Sequence, residues 1–154
     1  MSEIQSLEES VSKIDKFSSS SYIKNVKDLR VYKEAFDISI EVHKETLNFP
    51  KIEQYAIADQ MRRASKSICA NLAEGFARQA SSVIEFRRFV QIAVGSGAEM
   101  AVWIEYALVL GYIDEKKAAK WIDKYDYISR MLQKLRLNIE SSNSRVLEKS
   151  EKIR

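Results

Sequence analysis

The segment from Ile57 to Phe76 carries apolar residues at intervals of three and four, the period of an amphipathic helix. The positions are Ile57, Met61, Ala64, Ile68, Leu72 and Phe76. A stripe of this kind is the seam through which a helix packs in a bundle. The chain has four glycines and one proline in 154 residues, so we expect few turns and long helices.

A helix with a wider apolar face is predicted before this one. It should begin after an N-cap at Asp28 and end near Leu47, because Asn48-Phe49-Pro50 cannot continue a helix. Its apolar residues form two stripes, which suits packing on two neighbours or at a subunit interface. The stripes are Tyr32, Phe36, Ile40 and Leu47, and Val31, Ala35, Ile38 and Val42.

The helix that contains the Ile57–Phe76 stripe is the second of the chain and should run from about Ile52 to Ala77. Two more helices are predicted after it. Ser82 and Glu85 form a capping-box pattern that opens the third helix, and Gly111 is a natural stop after Leu110. Asp114 can cap the fourth helix. The third stripe is Phe86, Phe89, Ala93, Met100, Trp103, Ala107 and Leu110. The fourth is Ala118, Trp121, Ile122, Tyr125, Ile128, Leu132, Leu135 and Ile139.

These patterns predict an all-α, antiparallel, up-down-up-down four-helix bundle over residues 28–139. A serine-rich, mostly mobile N-terminal extension (1–27) and a charged C-terminal tail (140–154) should flank it. Within the extension, Ile4, Leu7, Val11 and Ile14 predict either a short amphipathic helix that docks on a partner or a nascent helix that frays in water.

The composition argues against several kinds of site. One histidine, His43, and one cysteine, Cys69, exclude the Glu-x-x-His di-iron site of bundles, a cysteine-rich zinc site and an internal disulfide. We therefore expect no cofactor, no metal and no enzymatic activity. His43 is interpreted as a core or interface residue, and Cys69 as a small buried hydrophobe. In Gly95-Ser96-Gly97, the glycines should permit close approach of a helix or a large side chain, such as a tryptophan.

The ends and the most apolar stretch of the sequence favour a soluble, cytoplasmic protein that does not cross a membrane. The first ten residues are acidic and polar, unlike a signal peptide. The stretch from Gln91 to Ile113 contains Glu99 and Glu105 near its middle, which a bilayer tolerates poorly.

Positive charge is concentrated between Gln60 and Val90. This stretch contains six basic and two acidic residues, so its net charge is +4, whereas the net charge of the whole chain is +3. The basic residues are Arg62, Arg63, Lys66, Arg78, Arg87 and Arg88. They are candidates for binding the phosphates of RNA or DNA. The alternative is a solvated face, or arginines engaged in a structural polar network.

That network is predicted from two positions on the second helix and one on the third: Asn71, Glu74 and Glu99. Asn71 and Glu74 lie one turn apart and near the apolar seam, so a buried carboxylate there would need basic partners such as Arg62, Arg63 or Arg78. An acid/base pair of Glu74 and Glu99 is the catalytic alternative, but no metal, histidine or nucleophile accompanies it.

One combination of motifs resembles a known family. Gln60-Met61-Arg62-Arg63-Ala64, Ser67-Ile68 and Asn71-Leu72-Ala73-Glu74-Gly75 resemble the signature of the four-helix-bundle proteins encoded by intervening sequences in bacterial 23S rRNA genes. Further similar blocks are Asp28-Leu29 with Val31-Tyr32 and Ala35, Thr46 with Phe49-Pro50, Glu53 with Tyr55, Glu85-Phe86 with Phe89, Ala93, Gly95-Ser96 and Glu99, and Leu110-Gly111-Tyr112. Ala56 and Gly97 depart from the family pattern, which more often has glycine and a larger residue there.

The resemblance implies a four-helix bundle that assembles into a homopentamer and has no known catalytic activity. A related branch of the family serves as accessory protein to the reverse transcriptase of diversity-generating retroelements, so a reverse transcriptase is a candidate protein partner by analogy. Two functions follow as hypotheses: an oligomeric, non-enzymatic module that binds RNA or DNA, or a protein-interaction scaffold that touches no nucleic acid.

Overall fold

The computed structural model describes the backbone of residues 23–151 and the side chains of residues 23–142. Within these residues the fold consists of four α-helices: α1 (Arg30–Thr46), α2 (Ile57–Arg78), α3 (Val83–Val109) and α4 (Glu115–Glu151). Two short 3-10 turns, Val26–Asp28 and Lys51–Glu53, precede α1 and α2. The described part of the chain contains no strand, and the predicted all-α four-helix bundle is confirmed.

The helices form a four-membered arrangement in which α1 and α3 lie diagonally. Each of these two helices packs along both α2 and α4. Three cross-helix ion pairs fix α1 against α4, joining Glu34 to Lys124, Glu41 to Lys120 and Glu45 to Lys117. The residue numbers rise on α1 as they fall on α4, so the two helices are antiparallel.

The buried core follows the predicted stripes of α2 and α4 closely. Met61, Ile68 and Leu72 on α2 have no exposed surface, and neither do Trp121, Ile128 and Leu132 on α4. Trp121 also donates its indole N–H to Glu41 Oε1 at 2.9 Å. Burial raises the pKa of Glu41, but the bonds from Lys120 and Trp121 outweigh it, and the pKa of Glu41 is lowered overall.

Only one of the two stripes predicted for α1 enters this core. Val31, Ala35, Ile38 and Val42 are buried. Phe36, Ile40 and Leu47 of the other stripe are 47%, 39% and 59% exposed. The packing of one bundle uses a single side of α1, because α2 and α4 both lie on that side. Of the stripe predicted for α3, Leu110, which caps the end of the helix, is likewise exposed and Trp103 is only partly buried.

Three predicted helix ends are confirmed by their hydrogen bonds. Ser82 Oγ accepts from the Glu85 amide at 3.2 Å, and Asp114 Oδ1 accepts from the Lys117 amide at 2.7 Å. Gly111 has a φ of 77°. Its amide bonds to Leu108 O and the next amide bonds to Ala107 O, which is the Schellman pattern of a glycine-terminated helix.

Three other predicted ends are wrong. Leu29, not Asp28, is the N-cap of α1, because Asp28 belongs to the preceding 3-10 turn. The second helix begins at Ile57 rather than Ile52, since residues 51–56 form a turn. The fourth helix continues past Ile139 to Glu151, and residues 140–151 hold neither glycine nor proline to end it.

The N-terminal extension falls largely outside the described residues. The predicted stripe of Ile4, Leu7, Val11 and Ile14 lies outside the described residues. Residues 152–154 at the other end of the chain also lie outside them. Ile23 and Val26 are described, and both pack against the core.

Two glycines of the bundle differ sharply in their surroundings. A Cβ added at Gly75 would lie 2.7 Å from Phe89 Cβ and 3.3 Å from Phe86 O, so α2 and α3 approach each other closely here. A Cβ at Gly95 would meet nothing within 4 Å. Gly97 lies against Ser129 and Ile68, which confirms close helix packing there and shows that neither tryptophan accounts for it.

Gly75→Ala should destabilise the protein by about 1–3 kcal/mol, because the new methyl group would push α2 and α3 apart. Gly95→Ala is the matched control and should stabilise by up to about 1 kcal/mol, because alanine favours helix over glycine and meets no obstacle. Urea unfolding followed by circular dichroism measures both. Equal effects of the two changes would contradict the close contact at Gly75.

Candidate nucleic-acid interface

The six basic residues predicted to bind phosphate do not form one patch. Arg62, Arg63 and Lys66 lie in the first half of α2, whereas Arg78 ends it, and Arg87 and Arg88 lie in the first turns of α3. Sixteen residues separate Arg62 from Arg78, or about 24 Å along a helix at about 1.5 Å per residue. The structure therefore divides the candidates into two groups.

Arg62 is engaged in holding the turn between α1 and α2. Its guanidinium donates to Gln54 O at 2.6 Å, Gln54 Oε1 at 3.2 Å and Thr46 Oγ1 at 3.3 Å. Gln54 in turn donates to Thr46 O at 2.9 Å and Phe49 O at 3.0 Å. Thr46 is the last residue of α1, and Phe49 and Gln54 lie in the turn that follows, so the side chains of Arg62 and Gln54 supply donors to carbonyls of the helix end and of the turn. Arg62 thus has a structural role.

Lys66 and Arg63 stand on the surface beside this turn. Lys66 Nζ lies 3.0 Å from His43 Nδ1. Partial desolvation and the charges of Lys66 and Arg62 lower the pKa of His43, so a neutral ring accepts a hydrogen bond from Lys66. His43 is half-buried in the subunit, so it does not lie in the core of the bundle, and the alternative place at a subunit interface stays a prediction. Arg63 is 74% exposed and 3.8 Å from Asp59.

Arg78, Arg87 and Arg88 form the second group, which we call the arginine cluster. The guanidinium carbons of Arg78 and Arg88 lie 5.4 and 5.1 Å from the centre of the Phe89 ring. Phe89 is buried and fixed, so these two cations share a rigid platform.

Each arginine of the cluster has one carboxylate neighbour at the surface. Arg78 pairs with Glu74 at 2.9 Å and Arg88 with Glu85 at 3.3 Å, both within one helix. Arg87 reaches Glu140 on α4 at 2.6 Å. The three arginine side chains are 51%, 59% and 47% exposed in that order. Exposed pairs of this kind contribute little stability, so the guanidiniums can exchange these partners for phosphate.

The three residues predicted to share a polar network have separate partners in the described subunit. Asn71 donates to Ser67 O and Ser67 Oγ at 2.8 and 2.9 Å. Glu74 pairs with Arg78, and Glu99 accepts from Trp103 Nε1 at 3.0 Å. The structure thus does not bring Glu74 and Glu99 together as an acid/base pair.

A polar link between helices exists instead at Ser67 and Ser96, which the sequence analysis named in motifs but did not predict to bond to each other. Ser67 Oγ lies 2.9 Å from Ser96 Oγ, joining α2 to α3, and Asn71 bonds to the same Ser67. The sequence signal for this link is that two small polar residues, both within family-like motifs, stand beside apolar seams.

Reactive chemistry has little support among the described residues. Burial, reinforced by the charge of Asp37, raises the pKa of Cys69 to about 12, so the thiolate needed for nucleophilic attack does not form near neutral pH. The prediction that Cys69 is a small buried residue is confirmed. No group of three His, Cys, Asp or Glu side chains within the described chain could hold a metal ion.

Arg62→Met should destabilise the protein by about 2 kcal/mol, because the carbonyl and hydroxyl groups of the turn lose a charged donor. Arg63→Met is the matched control on the next residue and should change stability by less than about 0.5 kcal/mol, since its side chain is exposed. Thermal unfolding of both variants tests this. An Arg62 variant as stable as the parent would show that the turn holds without it.

Comparison with known proteins shows which solved structure and which protein family the chain is similar to. Among the solved structures that share the fold is a protein of unknown function from the S23 ribosomal protein family of Bacteroides thetaiotaomicron VPI-5482. It is 20% identical, the match covers 69% of this chain and 94% of that one, and the TM-score is 0.62. No curated protein matches. The family model described as 23S rRNA-intervening sequence protein matches residues 27–134. The chain therefore belongs to the 23S rRNA-intervening sequence protein family.

Proposed function

We propose that this protein is a non-enzymatic, self-associating four-helix module that binds RNA or DNA phosphates through the arginine cluster. One observation carries the proposal: the half-exposed guanidiniums of Arg78 and Arg88 share the Phe89 ring where α2 ends and α3 begins, and Arg87 lies on the same turn of α3. The charged partners of all three are carboxylates in surface ion pairs. Phosphate groups compete well for such cations, because guanidinium binds phosphate oxygens in a bidentate manner.

We leave Arg62 out of the proposed interface, because its guanidinium is bonded to the α1–α2 turn. Arg63 and Lys66 are exposed and can add contacts at a distance from the cluster. Contacts of this kind are made to the nucleic-acid backbone, so we expect affinity that falls steeply with salt and reads little base sequence.

Self-association is supported by an exposed apolar surface at the other end of the bundle. We call this surface the apolar end; its residues are Leu47, Ile52, Tyr55, Tyr106, Val109 and Leu110. Tyr55 is 95% exposed, Ile52 83% and Val109 78%. Large apolar side chains gathered in this way are typical of a surface that another protein covers.

A ring requires two different faces on each subunit, one for each neighbour. The apolar end and the exposed α1 residues Phe36 and Ile40 provide two such faces. The homopentamer implied by the family resemblance would then repeat the arginine cluster five times. Repetition lets several weak phosphate contacts act together on one nucleic acid.

The second candidate is a protein-interaction scaffold with no nucleic-acid ligand. The apolar end favours it, because a foreign protein, such as a reverse transcriptase by analogy, could cover the same side chains. It makes no use of the arginine cluster, so charge-removing changes there distinguish the two functions.

Replacing Arg87 and Arg88 together by glutamine should weaken binding of a structured RNA and of a DNA duplex. The logarithmic salt slope between about 50 and 200 mM should fall by about 2, one for each lost phosphate contact. Fluorescence anisotropy with labelled RNA and DNA measures both quantities.

Arg130→Gln removes an exposed charge from the middle of α4 and is the matched control, with expected binding equal to that of the parent. No binding by the parent at the lower salt would refute nucleic-acid recognition and leave the scaffold function.

Ile52→Lys combined with Val109→Lys should reduce the assembly to a 17.8 kDa monomer. Both side chains are exposed in the subunit, so the charges should oppose subunit contact without disturbing the core. Light scattering after gel filtration gives the mass. Leu137→Lys, an exposed apolar residue on α4, is the control and should leave the mass unchanged. A monomeric parent protein would contradict self-association.

A further inference from the structure

The outer face of α3 has an apolar surface near its start, separate from the apolar end. Ile84 is 64% exposed and Ile92 is 42% exposed. Arg88 lies between them at four-residue spacing, so the three side chains share one side of the helix. Gly95 continues this side and has open space around it. We call Ile84, Arg88, Ile92 and Gly95 the α3 shelf.

The described chain begins at the same end of the bundle as this shelf. Ile23 and Val26 pack against the core, and the 3-10 turn Val26–Asp28 contacts α1 and α2. Because α1 and α2 are antiparallel, the start of α1 lies beside the end of α2, where the arginine cluster begins. Ile23, where the described chain begins, therefore lies at the end of the bundle that carries the cluster and the α3 shelf.

Those preceding residues have a sequence that matches the shelf. As a helix, residues 4–14 would carry Ile4, Leu7, Val11 and Ile14 on one side. At 100° per residue, Glu3 and Glu8 would flank this stripe, one on each edge. An apolar stripe edged by carboxylates complements an apolar surface that carries Arg88, with Arg78 and Arg87 beside it.

We propose that residues 4–14 form a short helix that docks on the α3 shelf of the same chain, with Ile84 and Ile92 against its apolar stripe and Arg88 beside Glu8. The lengths agree. Ile4 to Ile14 spans about 15 Å as a helix, and Ile84 to Ile92 spans about 12 Å. The nine residue steps from Ile14 to Ile23 reach up to about 30 Å when extended, enough to cross two helices.

Docking would give the N-terminal segment a regulatory role, and this consequence rests on the proposed nucleic-acid function. Glu8 of the docked helix would occupy Arg88, which otherwise binds phosphate. Nucleic acid and the segment would then exclude each other, and the segment would set a threshold for binding.

The docking itself is tested by measuring distances in the full chain. Spin labels on Ser12→Cys and Asp126→Cys report the distance between the segment and α4 by double electron–electron resonance. Cys69 is buried and its pKa is raised to about 12, so it stays unlabelled. We expect one narrow distance distribution, retained when the labelled chain is diluted into excess unlabelled protein.

Two pairs of changes should broaden that distribution: Leu7→Ser with Val11→Ser on the segment, and Ile84→Ser with Ile92→Ser on the shelf. Val102→Ser is the matched control, because it removes an exposed apolar side chain farther along α3 and should leave the distribution narrow. Arg88→Glu should also broaden it, and adding Glu8→Arg should narrow it again.

A broad distribution in the parent protein, or one that ignores the shelf changes, overturns the proposal. Loss of the narrow distribution on dilution assigns the segment to a neighbouring copy and also overturns docking within one chain. The regulatory consequence has its own measurement: Leu7→Ser with Val11→Ser should strengthen RNA binding several-fold. If no variant binds RNA, the proposed function fails while the distances still decide the docking.

Discussion

Exclusion of water from the α2 seam is the constraint on which the rest of the bundle depends. Met61, Ile68 and Leu72 have no exposed surface, and each such side chain contributes about 2 kcal/mol when it leaves water. Their burial requires α1, α3 and α4 around α2 in fixed positions. The contact at Gly75, where Phe86 and Phe89 lie against the backbone of α2, sets how closely α3 approaches. That contact therefore also fixes the positions of the arginine cluster and the α3 shelf relative to α2.

Periodicity was sufficient to predict the architecture because the same physical rule makes the pattern and the core. A stripe at three- and four-residue spacing leaves water when it faces other helices. The predicted stripes of α2 and α4, the caps at Ser82 and Asp114 and the stop at Gly111 were therefore found. Helix ends without such local signals were missed, as at Leu29, where the N-cap has no side-chain hydrogen bond.

The candidate site was less predictable, because it depends on which groups meet across helices. In the sequence, Arg62 and Arg88 are equal contributors to the positive charge. In the structure, Arg62 is bonded to the α1–α2 turn, whereas Arg88 is exposed. Nor could spacing on α1 decide which of two stripes enters the core, since that choice belongs to the neighbouring helices. Glu99 was expected near Glu74 and instead accepts a bond from Trp103 on its own helix.

The bond between Tyr112 and Glu53 joins the two turns at the apolar end. Tyr112 OH donates to Glu53 Oε1 at 2.9 Å, and the other oxygen of Glu53 accepts from the amide of Ile57 at 3.3 Å. The Phe49 and Tyr112 rings lie 5.3 Å apart beside it. Both loops are thus braced before any partner arrives. Binding of a partner at the apolar end would therefore cost little conformational entropy of the loops, so even a modest contact area could give a stable complex.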